Sequence, residues 1–240
     1  MSVASRGEEL LARVIAGQSD DGTVLNDLLT AFHRGFPIDR LKVLLDGDDT
    51  NVVRAGAWIL SELGRRGRPL LSHMHALLSH SNRWSRISAL DSVLTCASPD
   101  DGELLAGAVG LINDADAGVR LKAVDFLARA SDLLLEAAAR ALLSRNESAD
   151  LSSALMGLLH GSEEDARVLI DNPLGIYRRV GIAAAMRRQD RTALEKAKSS
   201  QDEETRKLAD HAVEFLDRRE HWIKRGAARG NDERERGGGG

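Results

Sequence analysis

An arginine recurs five times along this chain in nearly the same setting, near the start of a helix-forming segment. The stretches are Val53-Arg54-Ala55-Gly56-Ala57, Ser85-Arg86-Ile87-Ser88-Ala89, Val119-Arg120-Leu121-Lys122-Ala123, Tyr177-Arg178-Arg179-Val180-Gly181 and Thr205-Arg206-Lys207-Leu208-Ala209. Arg54 to Arg86 is 32 residues, Arg86 to Arg120 is 34, Arg120 to Arg178 is 58 (two periods of 29) and Arg178 to Arg206 is 28. A repeat of this length is a helix pair that cannot bury its apolar face alone, so neighbouring pairs must stack. The expected fold is all-α: a right-handed α-solenoid of about six to seven stacked antiparallel helix pairs.

A second amphipathic segment precedes each arginine-bearing one and also the segment that begins at Asp150. These are Pro37–Leu45, Pro69–Leu78, Pro99–Ile112, Asp132–Leu143, Glu163–Ile170 and Arg191–Lys198. Leu104, Leu105, Ala108 and Leu111 recur at helical steps. Pro37, Pro69 and Pro99 stand at or near segment starts, where a missing N–H costs little. The turns Asp46-Gly47-Asp48-Asp49, Ser79-His80-Ser81-Asn82 and Asn113-Asp114-Ala115-Asp116 are rich in capping side chains. An earlier pair, Gly7–Ala16 and Thr23–Arg34, begins the stack. The pair whose second helix is Asp150–Leu159 lacks the arginine and marks where regular curvature changes. Aromatics make up 3% of the chain, so burial must be aliphatic and the helices closely packed. The helical-repeat domain is expected over 1–217, a helix end or cap over 218–228, and a disordered charged and glycine-rich tail over 229–240.

The pattern of a capping aspartate, then Val-Arg, then a small residue three positions on resembles the second helix of a HEAT repeat. Asp49…Val53-Arg54…Ala57 and Asp116…Val119-Arg120…Ala123 carry it best. Ser85-Arg86…Ala89 and Thr205-Arg206…Ala209 match in part, and Tyr177-Arg178…Gly181 more weakly. The resemblance covers roughly residues 20–217, and its short, Ala- and Gly-rich helices are most similar to the lyase-associated HEAT-like subgroup. It implies a scaffold that binds a protein or peptide on the inner, concave face lined by the second helices, with no catalytic role.

Two readings of the arginine column stand beside each other. The arginines pin adjacent repeats in register, with Asp46, Asp48, Asp49, Asp114 and Asp116 as acceptors, or they bind a ligand. Aligned by the arginines, Trp58 matches Leu90 and Val124, a column read as inter-repeat packing or as an exposed hot spot. The next column holds Ile59, Asp91 and Asp125, read as an acidic stripe or as a solvated face. In the helix over Val52–Gly64, Val53, Gly56, Ala57, Leu60 and Gly64 share the inward stripe. Trp84 either staples its turn or anchors a partner, and Trp222 covers the apolar edge of the last repeat. The expected partner-binding residues are Arg54, Trp58, Trp84, Arg86, Asp91, Arg120 and Asp125.

Chemistry finds little support. His73 and His75 point to different faces of a helix, and His73 and His80 lie about 10 Å apart along its axis, too far for one metal. There is no P-loop, no Gly-x-Ser-x-Gly and no His-Glu dipeptide, so no catalytic residue, metal or cofactor is expected. The lone Cys96, among Val93, Leu94 and Ala97, reads as a small buried hydrophobe and suits a reducing cytosol. No secretory signal or membrane span is legible, so a cytoplasmic location is expected. Small HEAT-like proteins include DNA glycosylases, but a net charge of −4 argues against a nucleic-acid partner. The resemblance is also compatible with a toxin-neutralising protein or an accessory to a modifying enzyme.

Overall fold

A computed structural model of the chain describes residues 2–18, 22–145 and 149–237, with side chains as far as His221. Trp222 therefore lies outside the described side chains, and residues 238–240 outside the described backbone. The described residues form α-helices and short 3₁₀ stretches, with no strand among them. The fold is an all-α helical repeat of the solenoid class. It divides into two compact units, Met1–Ser152 and Ser153–Gly240. The division falls inside the expected second helix Asp150–Leu159, which lacks the arginine.

In the first unit, helices α1 (Val3–Ile15) and α2 (Thr23–His33) form the opening pair. The next pair is a 3₁₀ turn continued by α3 (Lys42–Leu45), followed by α4 (Thr50–Glu62). A 3₁₀ stretch over Gly64–His73 runs into α5 (Met74–Leu78), which pairs with α6 (Arg83–Cys96). Then come α7 (Gly102–Gly110), α8 (Ala117–Arg129) and α9 (Asp132–Ser144), while α10 (Ala149–His160) crosses the division. The second helices pack side by side, α4 on α6 and α6 on α8. The second unit contains α11 (Glu163–Ile170), α12 (Gly175–Arg188), α13 (Arg191–Ala197) and α14 (Glu203–Gly237), with α12 packed on α11 and α14.

The segments expected from periodicity are thus present, but the first helices around Pro37 and Pro69 are partly 3₁₀ rather than α. Pro69 falls inside its 3₁₀ stretch, where it lacks the N–H that an α-helical ladder would need. Gly64 begins that stretch at φ +54°, a backbone that favours glycine. Gly64 therefore stands beyond the end of α4 and is not part of its inward stripe, whereas Val53, Gly56, Ala57 and Leu60 are buried as expected.

Side-chain caps set the start of α4, α6 and α8 in the first unit. Asp49 Oδ1 accepts from the Asn51 and Val52 N–H groups at 2.7 and 3.2 Å. Asn82 caps α6 through the Trp84 N–H, and Asp116 caps α8 through Gly118 and Val119. Each cap supplies an acceptor for N–H groups that have none within the helix.

The bond from the helix back to its capping carbonyl defines a common register. It is donated by Val53 to Asp49, Arg86 to Asn82, Arg120 to Asp116, Arg178 to Leu174 and Arg206 to Asp202. Val53, not Arg54, is therefore the equivalent of the other arginines. In this register Gly56, Ala89, Ala123, Gly181 and Ala209 form one buried column of small residues. A Cβ on Gly56 would lie 2.7 Å from Leu44 Cβ, and one on Gly181 would lie 2.7 Å from the Ile170 backbone nitrogen. The small column is where the first helix of a pair presses on the second.

Candidate partner-binding site

Four of the five arginines make the same clasp. Nη1 of Arg86 donates to the His80 and Ser81 carbonyls at 2.6 and 3.0 Å. Arg120 does so to Asp114 and Ala115 at 2.7 and 2.9 Å, and Arg178 to Asn172 and Pro173 at 3.0 and 2.6 Å. Arg206 repeats it on Ser200 and Gln201 at 2.7 and 2.9 Å. The acceptors are always six and five residues earlier, in the turn between the paired helices. A guanidinium fits because it carries several donors on a rigid, always charged plane, and helix C-terminal carbonyls attract a cation.

Arg86 and Arg178 also reach the following repeat. Arg86 Nη2 donates to Asp114 Oδ1 at 2.8 Å, and Arg86 Nε lies 2.8 Å from Asp114 Oδ2. Arg178 Nε donates to Thr205 Oγ1 at 3.1 Å, with Nη2 3.4 Å from Asp202. Of the acceptors expected from sequence, Asp114 takes the role foreseen for it. Asp46 instead lies 2.9 Å from His73 Nδ1. Asp49 caps its own helix, and Asp116 both caps α8 and pairs with Arg83 at 3.4 Å. Burial works to raise the Asp116 carboxyl, but the Val119 N–H, Arg83 and the Gly118 N–H together hold it below the ordinary aspartate value.

Arg54 departs from this pattern. It stands one residue later than the clasp position, and a helix turns by about 100° per residue. The clasp position in α4 is taken by Val53, which is buried and has no donor to offer. The residue corresponding to Asp114 in the following repeat is His80, whose Nδ1 accepts from the Asn82 N–H at 3.1 Å. Arg54 is exposed and makes no hydrogen bond or ion pair among the described residues.

The same one-residue offset changes the other columns. Trp58 aligns with Asp91 and Asp125, and all three are half-buried. Ile59 aligns with Ser92 and Phe126, all buried, and Ala57 with Leu90 and Val124, all buried. Alignment by the arginines pairs Trp58 with Leu90 and Ile59 with Asp91; burial corrects this by one position.

Arg54, Trp58 and Trp84 line one cavity of about 300 Å³, completed by Gly22 before α2, Leu25 of α2, Ala55 of α4 and Ser88 of α6. Trp84 is 49% exposed, and the Arg83 guanidinium lies 4.8 Å from the centroid of its ring. Among the described residues no carboxylate lines this cavity. The remaining expected site residues are elsewhere. Arg86 and Arg120 are held by the turns, and Asp91 Oδ1 lies 2.6 Å from Lys122 Nζ, on α8. Sequence reasoning missed Leu25, Ser88 and Lys122; Leu25 belongs to a different repeat, and nothing in the local pattern links it to Arg54.

Cys96 is buried, with Sγ 3.1 Å from the Gly64 carbonyl. Burial pushes its thiol pKa up, which makes it a poor nucleophile. Among the described residues no group of three or more His, Cys, Asp or Glu could hold a metal. No helix among them is long and apolar enough to cross a membrane.

No protein-family model matches the chain, and no curated protein matches it. Among solved structures it is similar to a designed armadillo repeat protein, with 17% identity and a TM-score of 0.44 over 90% of this chain and 100% of the other. A second designed armadillo repeat protein, solved in complex with the peptide (KR)4, matches with 18% identity and a TM-score of 0.43 over 89% and 99% of the two chains. An engineered protein matches with 17% identity and a TM-score of 0.40 over 87% of each chain.

Proposed function

We propose that this chain is a non-catalytic, HEAT-like scaffold of the cytoplasm that holds a protein or peptide partner on the second helices of its first unit. The observation that carries the reading is the contrast among the five arginines. Four are consumed in clasping turns, while Arg54 is left unbonded beside Trp58 and Trp84 on an open cavity. Tryptophan and arginine are the residues most enriched in binding hot spots. A partly exposed indole beside a guanidinium with no partner among the described residues offers apolar area and a donor fork to a partner. The tail over 229–240 takes no part in this reading.

Affinity capture from native lysate tests it. The immobilised full chain is compared with the Arg54→Glu/Trp84→Ala double variant and with Asp91→Lys/Asp125→Lys. A polypeptide retained in stoichiometric amount by the native chain and lost with the first variant is the expected result. Retention of the same polypeptides by the native chain and the Arg54/Trp84 variant would place the binding surface elsewhere. Loss only with the aspartate variant would move it to the Trp58–Asp91–Asp125 column beyond the cavity.

A further inference from the structure

We infer that the cavity between α2, α4 and α6 takes an acidic, apolar peptide segment: a carboxylate on Arg54 and an adjoining aliphatic or aromatic side chain against Trp58 and Trp84. This rests on the reading of that face as the partner site and adds the chemistry of what enters it.

The charge argument comes first. A guanidinium such as that of Arg54 presents its donors in a planar fork that matches a carboxylate in two-point contact. Arg54 is exposed and has no partner among the described residues, and among those residues no acidic side chain lines the cavity to compete for it. The rest of the lining is apolar or weakly polar. Leu25 and Ala55 supply aliphatic surface, the two indoles supply flat faces and one N–H donor each, and Ser88 supplies a hydroxyl. An apolar chamber with a single fixed cation at its edge selects a ligand that carries both characters in one short stretch.

Size and charge spacing decide between ligand classes. A volume of about 300 Å³ lies at the small end of ligand pockets. It accommodates one bulky side chain with a neighbouring carboxylate rather than an entire cofactor. A nucleic-acid backbone needs several phosphate contacts at once. The other four arginines of the series have Nη1 committed to backbone carbonyls, and Lys122 is paired with Asp91. Arg83 is shared between Asp116 and the Trp84 ring. One unoccupied guanidinium matches one carboxylate, not a polyanion.

The test uses the full chain and fluorescein-labelled short peptide pools of Leu and Phe mixed with Asp and Glu, with Asn and Gln, or with Lys and Arg. A labelled DNA duplex is added as a further probe. Binding is read by anisotropy and by quenching of intrinsic tryptophan fluorescence, for the native chain, Arg54→Gln, Trp84→Ala and Arg65→Gln. Arg65 is exposed and does not line the cavity, so its variant controls for loss of a positive charge. The acidic pool is expected to bind at least about tenfold tighter than the neutral pool, the scale of one charge-assisted hydrogen bond. Arg54→Gln should erase that preference, Trp84→Ala should weaken both pools, and Arg65→Gln should leave it intact. If the neutral pool binds as tightly as the acidic one, or the preference survives Arg54→Gln, the carboxylate assignment falls while the peptide-scaffold reading stands. If no peptide pool binds, both fall. Duplex binding that depends on Arg54, without acidic-peptide binding, overturns the inference in favour of a nucleic-acid ligand.

Discussion

Replacing Arg86 and Arg54 by alanine, one at a time, should give opposite results although the two residues occupy the same apparent motif. Arg86 donates to two carbonyls of its own turn and to Asp114. Its side chain is 13% exposed and that of Asp114 is 9% exposed. Truncation leaves a largely buried carboxylate without its cation, a change that costs about 3–5 kcal/mol when a buried pair is broken from one side. Asp114 keeps the Asp116 N–H bond at 2.8 Å, and water can reach the freed turn carbonyls, so the expected loss is near the lower figure, about 3 kcal/mol. Arg54 makes no such bonds, and its replacement should stay within about 0.5 kcal/mol, as for an ordinary surface change. Urea unfolding followed by helical circular dichroism measures both. With a slope of about 2 kcal/mol per molar, Arg86→Ala should lower the midpoint by roughly 1.5 M and Arg54→Ala by less than about 0.3 M. An Arg86→Ala midpoint no lower than that of Arg54→Ala would refute the clasp as a stabilising device. A double-mutant cycle with Asp114→Ala should then return a coupling of about 1 kcal/mol or more, and a coupling near zero would remove the inter-repeat half of the argument.

The small-residue column gives a second contrast. Gly181→Ala forces a Cβ to within 2.7 Å of a backbone nitrogen and should destabilise by about 1–3 kcal/mol. Gly110→Ala meets nothing within 4 Å at a helical backbone and should stabilise by about 0.4–1 kcal/mol; urea midpoints that shift in the same direction would count against the column. Acid should also weaken the protein. Asp202 is held below the ordinary aspartate value by the Thr205 hydroxyl first, against a smaller burial effect, then by the Thr205 N–H, Arg178 and Arg179. A folded pKa below the unfolded one contributes stability that is complete above the unfolded value of about 3.9 and is lost as pH falls through the folded value. Melting temperatures should therefore fall as pH drops below about 4, less steeply in Asp202→Asn; an unchanged slope in that variant would show the carboxylate to be a bystander. Removing residues 229–240 should leave the urea midpoint unchanged, since a charged and glycine-rich segment adds nothing to an apolar core; a clear drop would assign it a structural part.

The helix pairs were legible because periodicity, caps and turn residues agree at the starts of α4, α6 and α8. Asp49, Asn82 and Asp116 cap where their residue types suggest. The 3₁₀ character around Pro69 was less legible, because a helical apolar spacing does not distinguish the two ladders over a few residues. The site was half legible. Arg54, Trp58 and Trp84 could be picked out as types, but their meeting in one cavity depends on the packing of three helices. The offset at α4 does have a mark in the sequence. Asp49 precedes Arg54 by five residues, whereas Asp116 precedes Arg120 by four. Matching the conspicuous arginines conceals that difference, and matching the caps reveals it. The carbonyl half of the clasp has no signature of its own, because a backbone acceptor is present whatever the residue type.

The clasp also has a direction in time. Its local half spans only five and six residues, so closing it requires little loss of chain entropy. Its distant half spans 28 residues from Arg86 to Asp114 and 27 from Arg178 to Thr205, always toward the C-terminus. As the chain emerges from synthesis, a turn can be shaped before the repeat that will lock it exists, and for Arg86 and Arg178 the next repeat brings the acceptor to an arginine already in place. Contacts of such short range favour rapid, stepwise formation. At α4 the sequence has Val53 where a clasp would be, so this turn has no local arginine clasp to shape it early and depends on its cap and its neighbours.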